Sequence, residues 1–138
     1  MNQSQTSSTV VIGYIIWLFG FTGSHRFYFG RPKTGLLYFC TLGLFGIGWL
    51  IDIVLIPRMA ETCDVKREPG PIDYNVSWLL LTFLGAFGAH RFYMHKWATG
   101  ILYFFTGGLF GVGWAYDLWT WNDQVAQINL RENQARLP

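Results

Sequence analysis

His25, Arg26 and Asp52 recur 65 positions later as His90, Arg91 and Asp117. An imidazole beside a guanidinium is a proton acceptor next to a fixed cation. A carboxylate in an apolar run is expensive, on the order of 2.5 to 3.5 kcal/mol at the centre of a membrane helix, and is kept for a reason. Three uses are open to such residues. Two facing histidines ligate a haem, two facing carboxylates hold a cation or a proton, and hydrogen-bonded singly each group is structural. A haem is set aside, because each histidine stands beside an arginine and lacks a second axial pair. No nucleophile stands with a positioned base, so no catalytic residue is assigned and no enzyme is expected. Cys40 and Cys63 form no metal-binding pair and sit at different depths, so neither a metal, a cofactor nor a disulfide is expected.

The elements that position these residues belong to a duplicated unit. Gly20 to Asp52 lies over Gly85 to Asp117 without a gap, and the run from His25 to Tyr28, Thr34, Gly35, Thr41, the run from Gly43 to Gly46, Gly48 and Trp49 all recur. The chain of 138 residues is 51% hydrophobic, 19% aromatic and 13% charged, a composition that points to a bilayer rather than to a water-soluble domain. Its net charge of +2 gives no basis for a nucleic-acid partner.

Four membrane helices are predicted, Val10 to Phe29, Pro32 to Ile56, Val76 to Met94 and Trp97 to Trp121. Proline opens the second and ends it at Pro57. The segments are a polar tail at 1–9, a first helical hairpin at 10–56, a polar linker at 57–75, a second hairpin at 76–121 and a polar tail at 122–138, with a brief helix at most. The first tail has no basic residue, so it does not read as a secretory signal. Short turns make the helices of each pair antiparallel. Two crossings per unit give both hairpins one orientation, related by a pseudo-two-fold axis along the membrane normal, unlike an inverted repeat.

On a continuous second helix, Thr34, Tyr38, Thr41, Phe45, Gly48 and Asp52 follow a packing seam, repeated at Thr99, Tyr103, Thr106, Phe110, Gly113 and Asp117. Leu36, Cys40, Ile47, Leu50 and Ile51 fall on the opposite, lipid-facing side. Gly20, Gly23, Gly48, Gly85, Gly88 and Gly113 are the expected close-packing glycines, and Gly107 with Gly111 forms a GxxxG pair. Asp52 lies 20 residues past Pro32, about 30 Å along such a helix. That places it at the membrane face opposite Arg26 and excludes an ion pair between them within one hairpin. Trp119 and Trp121 are placed like an aromatic belt.

The pattern GxxGxHRFYxG, followed by GxFGxGWxxD, resembles the TM-two domain family, in which two transmembrane helices are joined by a short turn bearing an Asp-Arg-Phe type motif. The first copy matches at Gly23, His25, Arg26, Phe27, Tyr28, Gly30 and Asp52, the second at Gly88, His90, Arg91, Phe92, Tyr93 and Asp117. His25 and His90 stand where eukaryotic relatives carry the aspartate, and His95 replaces the turn glycine. The resemblance implies a bacterial-looking form, hence a bacterial cytoplasmic membrane, and brings no established activity. The expected protein is a non-enzymatic, multi-pass module that packs in the lipid bilayer and binds a membrane-protein partner or itself. The alternative is an ion or proton pathway on Asp52 and Asp117. Arg26, Arg31, Lys33, Arg91 and Lys96 lie in turns without acids, which together with the resemblance predicts cytoplasmic turns and termini outside.

Overall fold

The computed structural model describes residues 3–19, 22–63, 65 and 67–137, with side chains for all of these but 3–5. Every described regular element is helical. The chain divides into two compact units, 1–65 and 66–138, each with its own core.

The first unit holds α1 (Gln3–Trp17), α2 (Ser24–Tyr28), α3 (Pro32–Phe45) and α4 (Ile47–Glu61). Two expected helices are broken. The first stops at Trp17 and resumes at Ser24, because Gly23 takes a left-handed conformation with φ 76° as the N-cap of α2. The second folds back on itself. Leu42, Gly43, Leu44, Phe45 and Gly46 all have positive φ, 50°, 74°, 52°, 58° and 84°, a left-handed run that reverses the chain between α3 and α4. Thr41 supports it, its hydroxyl donating to the Leu37 carbonyl at 2.7 Å and accepting from the Leu44 N–H at 3.1 Å.

The reversal folds α4 back beside α3. At their far ends Arg31 Nη2 donates to Thr62 Oγ1 at 2.9 Å, a bond that one continuous helix would forbid. Next to α4 runs α1, antiparallel to it. Trp17 and Trp49 stack at 4.5 Å, and each indole N–H donates to the other residue's carbonyl, at 2.8 and 2.9 Å. Pro57 sits inside α4 rather than ending it. A proline strips the carbonyl four residues earlier of its helical donor, and here the Tyr14 hydroxyl donates to that Ile53 carbonyl at 2.8 Å.

The second unit repeats the plan with α5 (Tyr74–Leu84), a 3-10 turn at Gly85–Phe87, α6 (Ala89–Tyr93), α7 (Trp97–Phe110) and α8 (Val112–Ala135). Gly88, at φ 75°, caps α6. Gly107 to Gly111 form the second left-handed run, so that α7 and α8 meet at a bend of 113°. The expected GxxxG contact is therefore a turn, and a side chain at Gly107 or Gly111 would meet nothing within 4 Å. The polar tail is helical to Ala135, since Leu118, Trp121, Val125 and Asn129 form one buried stripe along α8. Trp121 is core rather than interfacial belt, its indole N–H donating to Ser77 Oγ at 3.2 Å.

No single helix among the described residues is long and apolar enough to cross a membrane; α7 with α8 passes that test only as a bent pair.

Candidate functional site

Each unit buries one aspartate and surrounds it with side chains from two other helices. Asp52 on α4 is fully buried. Its Oδ2 accepts from His25 Nε2 at 2.5 Å and from Arg26 Nε at 2.9 Å, and its Oδ1 accepts from Arg26 Nη2 at 2.5 Å. The same Nη2 reaches the Tyr38 hydroxyl of α3 at 3.0 Å, and the guanidinium lies over the Tyr38 ring, 4.1 Å from its centroid. The second unit reproduces each contact. His90 Nε2 donates to Asp117 Oδ2 at 2.7 Å, Arg91 Nε and Nη2 donate to Oδ2 and Oδ1 at 3.0 and 2.6 Å, and Arg91 Nη2 reaches the Tyr103 hydroxyl at 3.0 Å.

This overturns the expectation that Arg26 and Asp52 stand at opposite ends of a helix. The reason is the left-handed turn, which brings α4 back alongside α3. Three charge-assisted hydrogen bonds, two of them from one planar arginine fork, use most of the carboxylate's acceptor capacity. Since an ionised carboxylate only accepts, the histidine hydrogen belongs on Nε2. Nδ1 of both His25 and His90 is then a buried nitrogen without a hydrogen-bond partner.

Local geometry explains the glycines. A Cβ on Gly48 would lie 2.5 Å from the Tyr38 hydroxyl, and one on Gly113 would lie 2.6 Å from that of Tyr103. Gly23 and Gly88 put α2 and α6 directly on the Gly35 and Gly100 carbonyls, and Gly85 abuts the Trp114 indole. Gly20 lies outside the described residues. The expected seam is split by the turn: Tyr38 of α3 faces Gly48 of α4 across the reversal, and Phe45 and Phe110 are 89% and 90% exposed on the turns. The five residues assigned to lipid are all exposed.

The HRFY motif is mostly interior. His25, Phe27 and Tyr28 are buried, and the Phe27 ring packs on Gly35. His90 is buried with its ring against Trp121 at 4.9 Å, while Phe92 and Tyr93 are half-buried. At the far end of this unit Lys96 Nζ donates to Gln124 Oε1 at 2.9 Å, and burial, with Arg91 adding to it, pushes the lysine below its usual range. Sequence reasoning missed Asn129. Its side chain accepts from the Ile72 N–H at 3.1 Å and donates to the Glu68 and Ile72 carbonyls at 2.8 and 3.0 Å, holding the 68–72 loop. The stripe of apolar residues preceding it at helical spacing was the available signal. Among the described residues no three His, Cys, Asp or Glu side chains group as a metal site, and both cysteines are free.

Residues 6–54 and 71–119 each match the TM2 domain. A TM2 domain-containing protein of Dictyostelium discoideum is 50% identical over 64 residues, 46% of this chain and 42% of that protein. TM2 domain-containing protein 1 of Homo sapiens is 47% identical over 55 residues, 40% of this chain and 26% of its own length. TM2 domain-containing protein biscotti of Drosophila melanogaster is 46% identical over 55 residues, 40% of this chain and 29% of its own length. This chain thus spans less than half of each of these relatives. All three are eukaryotic and lend no support to a bacterial membrane. No solved structure matches the chain.

Proposed function

The chain belongs to the TM2 domain family, of which it carries two copies, and from that premise we propose that each copy is a membrane-embedded, non-enzymatic packing module. It acts through its apolar exterior on a membrane-protein partner or on a second copy of itself. The observation that carries this reading is the contrast between a sealed interior and an apolar surface. Each buried carboxylate is satisfied within its own unit, leaving it little capacity to bind a cation. Large apolar side chains such as Leu50, Ile51, Val54, Phe104 and Phe105 stand exposed on the helix flanks, an arrangement that water penalises and lipid or another helix welcomes. An ion or proton pathway gains nothing from aspartates locked in this way.

The buried HRFY motif serves the fold, and the interaction surface is the exposed flank. A photo-reactive side chain at Leu50 or Phe105 should therefore give discrete adducts with a membrane protein or a second copy, and one at Phe27 should give none. The protein should stay with membranes through an alkaline carbonate wash. Release by the wash, or flux of protons or cations through the purified protein in liposomes, would overturn the proposal.

A further inference from the structure

We propose that α2 and α6 are acid-released latches. Each is held by a histidine that fits its site only when neutral, and proton uptake by His25 or His90 frees the helix from α4 or α8. The latch belongs to the interior of each unit and is the same whether the exposed flanks meet lipid or protein.

His25 is fully buried. It spends its Nε2 hydrogen on Asp52 and keeps Nδ1 without a partner, and His90 does the same against Asp117. A buried ring nitrogen with a lone pair is tolerable, but the same nitrogen carrying a hydrogen is a buried donor with no acceptor. Charge has the same consequence. The His25 imidazole faces Asp52 from α4, Arg26 from its own helix, and the Tyr38 ring of α3 edge-on at 6.0 Å. The one ionisable side chain of α1 is Tyr14, which is bonded to the Ile53 carbonyl. Asp52 and Arg26 cancel, so an added proton leaves one uncompensated positive charge, whether it stays on the ring or passes through Nε2 to the carboxylate. The second unit is less forgiving. His90 faces Asp117 and Trp121 from α8, Arg91 from its own helix and Tyr103 from α7, and Lys96 at the start of α7 adds a second cation. From α5 the ionisable group is Tyr74.

Each latch also has pivots. The five residues of α2 lie between Gly23 and Gly30, at φ 76° and 75°, and the five of α6 between Gly88 and His95, at φ 75° and 60°. Residues at element ends absorb the backbone change of a hinge. The remaining helices are joined without the latch. Trp17 and Trp49 tie α1 to α4 by their stack and two indole bonds. Trp114 bonded to the Leu81 carbonyl and Trp121 bonded to Ser77 tie α8 to α5. Departure of α2 lets water hydrate Asp52 and Arg26 and presents Phe27, Tyr28 and Phe29, whose burial closes the latch while the histidine is neutral. An imidazole released to water takes up its proton at about pH 6.5. Below that value the open form binds a proton that the closed form has no place for, and above it the closed form prevails.

The test is hydrogen exchange of the full chain in micelles, resolved by segment, corrected for intrinsic rates and run between about pH 7.5 and about pH 5. Five residues do not stay helical once undocked, so the amides of 25–31 and 90–96 report release. One linked proton raises their exchange by up to about tenfold per pH unit below the free imidazole value, while amides of α4 and α8 beside Trp49 and Trp114 keep their protection. Protection at 25–31 that acid leaves unchanged overturns the latch, as does its loss together with all of α4, which is unfolding of the whole unit. His25→Gln keeps a donor at the place of Nε2 and takes up no proton. It should abolish the pH dependence at 25–31 and leave that at 90–96, and acid sensitivity that survives the change overturns the role of the histidine. If the variant does not fold, nitrogen NMR of the rings in the unaltered chain decides. The latch requires neutral rings with the hydrogen on Nε2 in the closed form, turning to imidazolium together with the loss of protection; imidazolium in a segment still protected overturns it.

Discussion

At the scale of residues, the structure reverses what Asp52→Asn should do. An isolated interfacial aspartate would tolerate the amide, because acceptance of hydrogen bonds is retained. Here the carboxylate neutralises Arg26 in a buried setting, and removing one charge leaves the other uncompensated, at a cost of about 3 to 5 kcal/mol. Asp52→Asn is expected to lower stability by that order in denaturant titrations in detergent. The pair Arg26→Met with Asp52→Leu, which removes both charges, should cost less than the single change. Equal losses would show that shape, rather than charge pairing, holds the site. Gly48 gives a second prediction at this scale. Gly48→Ala drives a methyl into the Tyr38 hydroxyl and should cost about 1 to 3 kcal/mol, as overpacking does. Tyr38→Phe should recover part of that loss, although it also removes the hydrogen bond from Arg26. Gly46→Ala faces open space, so its cost comes from the backbone alone, and Tyr38→Phe should recover none of it.

At the scale of elements, the reversal between α3 and α4 gives a prediction whose sign separates two folds. Leu44 and Leu109 hold φ 52° and 55°, a conformation costing a residue with a Cβ about 1 to 2 kcal/mol. Leu44→Gly with Leu109→Gly should therefore stabilise the hairpins, as read by denaturant midpoint in micelles. In a continuous helix the same glycines would destabilise by about 1 kcal/mol each. The repeat and the helical class were legible in the sequence, because identity between copies and helical spacing report local geometry directly. The fold-back was not. An apolar run containing Gly43, Gly46 and Gly48 reads equally as a membrane helix with close-packing glycines or as two helices joined at a glycine turn, and the long-range pairings that separate these, Arg26 with Asp52 and Arg31 with Thr62, are not written in the run itself. Pro57 misled for a related reason. It ends a helix unless the freed carbonyl finds a donor, and that donor, Tyr14, comes from a distant helix.

At the scale of the whole molecule, duplication has produced two units that each complete their own core and their own triad. His25, Arg26, Tyr38 and Asp52 all come from the first unit, and His90, Arg91, Tyr103 and Asp117 all come from the second. Sites that share no partner combine their effects within about 0.3 to 0.5 kcal/mol. Asp52→Asn and Asp117→Asn should accordingly be additive in stability, and each should leave the other unit's behaviour unchanged. Hydrogen exchange resolved by segment reads this directly. Asp52→Asn should speed exchange of amides in α3 and α4 and spare those of α7 and α8, with Asp117→Asn doing the converse. The second unit has a further anchor in Asn129, which fastens the 68–72 loop to α8. Asn129→Ala should thus raise exchange at 68–72 and shift the second unit's stability by about 2 kcal/mol, the cost of leaving buried backbone groups unpaired. A loss of protection spreading into α3 and α4 on this change would show that the two copies fold as one cooperative body, and would remove the basis for treating them as separate modules.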